Sequence, residues 1–238
     1  MRIDKFLTEC GIATRKEAAL VAKKGGILVD GAVEKNTARH INPEVNRVTY
    51  LGEALEYKEF VYVLLNKPEG YVSATEDAKL PVVTELLPER LQKRGLFPVG
   101  RLDKDTLGLM ILTNNGALAH TLLSPRHHVE KEYYFEAAEP LPLGVEEQFA
   151  TGVILGDGYE CKSAKITLSE NRQAGHIVLT EGKYHQIKRM IASFDNKVVH
   201  LERVRFGKIT SENLPRRGEW RYLTDEEENS LIQSAKEG

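Results

Sequence analysis

Residues 99–116 read VGRLDKDTLGLMILTNNG. The run LMILT at 109–113 is short and continuously apolar, and it stops at Asn114, Asn115 and Gly116. That is the pattern of a strand buried on both faces and closed by turn residues. Arg101, Asp103, Lys104 and Asp105 just ahead of it cannot share the burial, so they belong to a loop at a strand end, where folds commonly display reactive groups. Alone, an Asp after Gly-Arg-Leu is more often a turn former than a nucleophile. Lys104 and Asp105 read as surface neighbours.

Outward from this segment, further strands are expected at 60–65, 97–100, 132–137, 162–168, 176–180 and 198–206. Apolar spacing predicts helices near 82–93, 116–123, 143–151 and 184–194, and Thr224 with Glu227 caps another to about Ala235. In the 184–194 segment Ile187, Ile191 and Phe194 share the face expected to meet the core. Hairpin-like neighbours such as 162–168 and 176–180 point to an α+β fold with a mixed, mostly antiparallel sheet and flanking helices over 58–238.

Residues 1–57 read as a separate small unit. Ile3, Phe6 and Leu7 share one face of a short helix ended by Gly11, and Thr14 with Glu17 forms a capping box for a second helix. Asp30-Gly31 between two short apolar strands then signals a tight hairpin, because such a turn needs positive φ at its centre. Arg15, Lys16, Lys23 and Lys24 make one side of the second helix basic.

The composition, 41% hydrophobic and 29% charged over 238 residues, is that of a soluble globular protein. No apolar run approaches the roughly 18 residues of a membrane helix, and MRIDKFLTECG offers no signal-peptide core. A cytoplasmic protein without membrane partners is expected. Cys10 and Cys161 form no CxxC pair or disulfide framework, which fits a reducing compartment. The net charge of −2 conceals an uneven distribution: residues 183–221 hold ten Lys or Arg against four acids, whereas 222–238 hold five acids and one Lys. This unevenness suggests a face for a polyanion.

Several common chemistries lack their residues. His127, His128, His185 and His200 have no metal-ligand spacing, and no cysteine joins them, so no metal is expected. Neither a GxGxxG nor a GxxxxGK[ST] stretch is present, which leaves no case for a nucleotide cofactor, and a GxSxG elbow is missing. What remains is carboxylates flanked by cations. Beside GRLD at 100–103 stand KEY at 131–133, EGKYHQIKRM at 181–190 and LERVRFG at 201–207.

This ordered set resembles the RNA pseudouridine synthases, specifically the branch typified by ribosomal small subunit pseudouridine synthase A. RIDKFLTECGIATRKEAALVAKKGGILVDG at the N-terminus is similar to the S4 RNA-binding module that this branch carries. The resemblance implies an isomerase without cofactor, acting on ribosomal RNA or an assembling small subunit as a monomer. Its expected products are pseudouridines, with 16S rRNA the expected substrate.

By the same resemblance Asp103 is the essential carboxylate, Lys188 the cation that keeps it charged, and Tyr133 the residue stacked on the target base. Leu201 would line the pocket, and Arg101 would meet phosphate or fill the space left by the extruded nucleotide. Arg189, and Arg2, Lys5, Arg15 and Lys16 in the first unit, would contact RNA. Strand alternation separates Tyr133 from Tyr134, and the K-x-Y spacing selects Tyr133. Lys183 and Phe206 depart from the commonest family residues without changing a catalytic chemical type. SPRHH at 124–128 and the S4-like unit lean toward the small-subunit substrate. The alternatives are a large-subunit (23S) enzyme, an inactive rRNA-binding assembly factor, and a base-excising hydrolase using Asp103 with Asp105.

Overall fold

The computed structural model describes residues 1–124 and 129–236, so residues 125–128 of the SPRHH stretch lie outside the described part. The chain forms two compact units, one made of Met1–Val61 and Leu87–Phe97, the other of Tyr62–Leu86 and the chain from Pro98 onward.

In the first unit, α1 (Ile3–Glu9) and α2 (Arg15–Lys23) precede a four-stranded antiparallel sheet. Its strands β1 (Ile27–Val29), β2 (Ala32–Val33), β3 (Val48–Tyr50) and β4 (Glu53–Leu55) run in the order β2-β1-β3-β4. Thr14 caps α2: its Oγ accepts the Glu17 N–H at 3.3 Å, and the Glu17 carboxylate accepts the Thr14 N–H at 2.7 Å. Asp30 turns the β1–β2 hairpin at φ 52 with Gly31 at φ 82, the left-handed geometry that the Asp-Gly pair signals. The strands β3 and β4 are too short to carry a period-2 signal, and the sequence reading misses them. Ile3, Phe6, Leu7, Ala18, Ile27 and Val48 form the core.

The helix expected over 82–93 is instead a 3-10 turn at Val83–Leu86 followed by the single-turn α3 (Glu89–Gln92). Pro88 between them supplies no N–H and keeps its predecessor out of helical geometry. Where the linear reading divides the chain at 57/58, the first compact unit extends to Val61 and takes back Leu87–Phe97. Arg90 explains the return: its Nε donates to Cys10 O, and its Nη1 pairs with Glu53 at 3.0 Å.

The second unit is built on a mixed sheet. After β5 (Tyr62–Lys67) and the two-residue β6 (Phe97–Pro98) come β7 (Leu107–Thr113), α4 (Gly116–Leu123), β8 (Lys131–Ala137) and α5 (Val145–Thr151). Then follow β9 (Lys165–Leu168), β10 (Ala174–Leu179), α6 (Gln186–Ala192), β11 (Val198–Phe206), β12 (Ile209–Thr210), β13 (Trp220–Tyr222) and α7 (Asp225–Ser234). The strand order is β13-β5-β7-β11-β8-β10-β9, with β12 folded beside β11. Along that path only β7 and β11 are parallel.

From Gly108 to Thr113 β7 is wholly buried, as its apolar run predicts. Gly108 is required where it stands. Its φ is +97, and a Cβ there would fall 2.4 Å from Arg203 O, so β7 could not approach β11 with a side chain at this position. On one side of the sheet Phe135, Phe149, Ile177, Ile187, Met190 and Ile191 pack into one cluster. Phe194 stacks on Phe149 at 6.1 Å beside it.

Candidate active site

The loop that carries Asp103 is fixed from two directions. Leu102 is buried, and its backbone is clamped by Ser73, whose hydroxyl donates to Leu102 O at 2.7 Å and accepts the Leu102 N–H at 2.9 Å. A turn follows, in which Thr106 N–H returns to Asp103 O at 3.1 Å. Beneath the turn the wholly buried Lys67, last residue of β5, extends its Nζ to the carbonyl oxygens of Pro68, Lys104 and Thr106 at 3.1, 3.2 and 2.8 Å. Burial pushes this ammonium down to about 8, while the nearby charges of Asp105 and Asp103 act in the opposite sense. An ammonium meeting three backbone carbonyls ties β5 to both sides of the turn.

Lys188 reaches the same place from α6. That helix starts at His185, which holds a left-handed φ of 47, and it buries Ile187, Met190 and Ile191. Its approach is set by Gln186, which accepts the Lys183 N–H at 2.8 Å and donates to Glu181 at 2.7 Å. Core packing of Ile187 and Ile191 turns Lys188 outward, where its Nζ lies 3.0 Å from Asp103 Oδ2 and 2.5 Å from Asp105 Oδ1. Burial works against the Lys188 charge, but the bonds to Asp105 and Asp103 outweigh it and raise its pKa above the ordinary lysine value. Asp105 is held below the usual range by the same ammonium, against its partial burial. His185 adds Nε2 at 3.5 Å from Asp103 Oδ1.

Asp105 is therefore not the plain surface neighbour expected from sequence. Its carboxylate shares the lysine of Asp103 while remaining more exposed, at 60% against 29%.

The remaining wall comes from β8 and β11. Tyr133 and Leu201 line the cleft together with Arg101, Asp103, His185 and Lys188. Tyr134 takes the opposite face, its ring near those of His176 and His200 and its hydroxyl donating to Glu136 at 2.9 Å. Of the residues expected at the site, Asp103, Lys188, Tyr133, Leu201 and Arg101 thus converge on one cleft. Arg189 does not: one residue further along α6, it pairs with Asp157 beside a separate depression. In the first unit Arg2 is engaged by Asp4 and Lys5 by Glu9, whereas Arg15 and Lys16 are exposed on α2.

The basic stretch 183–221 is not a continuous cationic face. Arg205 binds Glu130 and Glu132, Arg217 binds Glu202, Arg221 binds Glu227, and Arg203 is buried. Sheet pairing of β11 with β8 brings Arg205 against Glu130 and Glu132, acids that lie outside the 183–221 stretch.

Lys67 and Ser73 escaped the sequence reading. The signal for Lys67 was a lysine followed by proline at the end of the apolar run FVYVLLNK, where a solvated lysine has no reason to close a strand buried along its length. Among the described residues no group of three or more His, Cys, Asp or Glu is placed to hold a metal ion, and no helix is long and apolar enough to cross a membrane.

Residues 61–193 match the family described as RNA pseudouridylate synthase. An uncharacterised RNA pseudouridine synthase of Bacillus subtilis, YtzG, is 40% identical over 95% of this chain and 96% of its own length. Ribosomal small subunit pseudouridine synthase A of Escherichia coli is 37% identical over 98% of this chain and all of its own. A crystal structure of a pseudouridylate synthase, 34% identical, superposes with a TM-score of 0.67 over 97% of this chain and 99% of that one.

Proposed function

The chain belongs to the RNA pseudouridylate synthase family, and we propose that it isomerises a uridine of 16S ribosomal RNA, with Asp103 as the essential carboxylate. The reading of Asp103 is carried by one observation: its carboxylate stands 3.0 Å from the Lys188 ammonium in a cleft walled by Tyr133 and Leu201. The choice of 16S RNA is supported by relatives such as the Escherichia coli protein, whose name assigns it to the small subunit and which aligns along its whole length.

The chemistry begins with a uridine swung out of its stack, since C1' and C5 cannot be worked on inside a helix. Breaking the C1'–N1 bond sends its electron pair to the base and leaves an electron-poor sugar, which the ionised Asp103 can stabilise, attack or relieve of a proton. The detached uracil turns in place, C5 bonds to C1', and the proton that leaves C5 is balanced by one taken up at N1, so that the product is an isomer of the substrate. A hydrolase needs a second carboxylate to manage water and leaving group. Here the leaving base is recaptured, and Asp105, already bound to Lys188, is left an electrostatic part. Tyr133 and Leu201 supply the apolar walls against which a flat base can stack and turn, and Arg101 at the rim meets phosphate. Water is kept off the sugar by those same walls, so the fragments stay paired long enough to rejoin.

The first unit is proposed to be an S4-like RNA-binding module that places the enzyme without taking part in the chemistry, and the protein to act as a cytoplasmic monomer. Carbodiimide mapping of reverse-transcription stops in rRNA tests the whole reading. One stop in 16S rRNA should vanish in cells lacking the protein, return with the unaltered gene and stay absent with Asp103→Asn. A stop restored by the Asn variant would sink the role of Asp103, and a stop lost from 23S rRNA would move the substrate.

A further inference from the structure

The loop between β10 and α6 carries an aromatic pair that the chemistry above does not use. Tyr184 lies flat on His185, with ring centroids 3.8 Å apart and planes at 18°. His185 lines the cleft, and its Nε2 stands 3.5 Å from Asp103 Oδ1, so the stack leads from the Asp103 carboxylate out to solvent. The outer ring is open: Tyr184 is 75% exposed. A lone surface tyrosine is ordinary, but this one stands on a loop that is fixed on both sides. The Gln186 carboxamide accepts the Lys183 N–H and donates to the buried Glu181 carboxylate, which also accepts from the Tyr159 hydroxyl and the Lys162 N–H. Lys183 Nζ rests over the Tyr159 ring at 4.8 Å. At His185 the backbone takes a φ of 47, a conformation that side-chain-bearing residues seldom adopt. Such strain, held beside a cleft by the bonds around it, points to function.

We infer that Tyr184 is a stacking platform for the nucleobase that adjoins the target uridine in the RNA chain, with His185 as the support beneath it. Swinging a uridine out of its stack leaves the neighbouring base with one face bare, and that lost stacking is part of the cost of extrusion. Aromatic side chains are what proteins commonly set against such unstacked bases. A base laid on the outer face of Tyr184 continues the His185–Tyr184 stack as a third layer, two rings away from the carboxylate. Because the tyrosine ring is already ordered against His185, RNA has little of its freedom left to remove on binding. Stacking tolerates any base, since every base has a π face, so the platform sets where the strand lies and leaves its sequence unread.

This inference rests on the proposed uridine isomerisation, and binding measured without turnover separates the two. With rRNA from cells lacking the protein, Tyr184→Ala should weaken affinity by roughly fivefold to a hundredfold, the loss that one base–aromatic stack carries. Tyr184→Phe should recover most of that affinity, whereas Tyr184→Leu, apolar but without a π face, should not. The slope of log affinity against log salt should be the same for every variant, since stacking neutralises no phosphate. If the ring only braced His185, Tyr184→Ala would leave affinity alone and lower the single-turnover rate at saturating RNA, and that result would overturn the inference. A Phe variant as weak as the Ala variant would overturn it too, by assigning the contact to the hydroxyl. In ultraviolet crosslinking, the nucleotide joined to the Tyr184 peptide should be a direct neighbour of the uridine that is converted; a distant nucleotide would contradict the placement, and where no crosslink forms the affinity series decides. An unaltered protein that binds rRNA through Tyr184 yet forms no pseudouridine would count against the proposed function and leave the stacking platform standing.

Discussion

Lys188 Nζ stands between two carboxylates of one loop, 3.0 Å from Asp103 and 2.5 Å from Asp105, so a single ammonium is shared by two acids separated by one residue. Lys188→Met leaves two like charges facing each other without a counterion. Catalysis should fall by roughly a hundredfold or more, since breaking a partly buried charge cluster costs several kcal/mol. Asp105→Asn keeps the Asp103 pair and should cost less than about tenfold, because the more exposed partner is screened by water. Single-turnover rates on rRNA compare the two, and equal losses would show that Asp105 shares the chemistry.

Lys67 carries no reacting atom, yet it binds the carbonyl oxygens on both sides of the Asp103 turn. Lys67→Met keeps the volume of the stem and deletes those three bonds. The expected result is a lower single-turnover rate with nearly unchanged RNA affinity, since a carboxylate displaced by about 1 Å can lose roughly a hundredfold. Stopped-turnover assays beside filter binding separate the two quantities. A loss confined to affinity would contradict a role in loop placement.

Lys131 offers a test in which pH does the work. Its side chain is buried, and its Nζ donates to Val129 O. Burial lowers its pKa from 10.5 to about 8, with Arg203 adding repulsion. Between those two values the unfolded chain binds a proton that the folded chain has released, so this group makes stability rise with pH across that window. Its full contribution is present above 10.5 and is lost as the pH falls to 8. The displacement corresponds to on the order of 3 kcal/mol, while a stranded Val129 carbonyl costs about 1 kcal/mol. Lys131→Met should therefore raise Tm at pH 7 by several degrees and raise it less, or not at all, near pH 10.5. Thermal melts at the two pH values decide it.

Much of this site was legible in the linear chain because its parts are local signals. GRLD lies before a continuous apolar run, and the K-x-Y spacing together with strand alternation separates Tyr133 from Tyr134. The Ile187, Ile191 and Phe194 period turns Lys188 the other way. What escaped was non-local. Lys67 reads as an ordinary charged residue until β5 is laid beside the 104–106 turn, and Arg203 as one more basic residue until pairing with β8 buries it. The basic run fails as a face for the same reason, since its partners Glu130 and Glu132 sit 73 to 75 residues away from Arg205. The excursion Leu87–Phe97 was invisible because its ties to the first unit are non-local, Arg90 reaching Cys10 and Glu53 across 80 and 37 positions of the chain.

The first unit is better tested by charge than by deletion. Removing 1–57 would strip Leu87–Phe97 of the residues it packs with in the same unit, including Cys10 and Glu53 around Arg90, and would confound binding with misfolding. Arg15 and Lys16 are exposed on α2, while Arg2 and Lys5 are engaged by Asp4 and Glu9. If the unit meets RNA phosphates, Arg15→Gln with Lys16→Gln should weaken rRNA binding. The slope of log affinity against log salt should become shallower by about 0.7 to 0.9 for each phosphate no longer neutralised. Arg2→Gln with Lys5→Gln should flatten it less, because phosphate must first compete with the acids already there. With saturating RNA the single-turnover rate of both variants should match the unaltered protein, as a placement module requires. An unchanged salt slope for the Arg15 and Lys16 pair would remove the RNA-binding role from this face of α2.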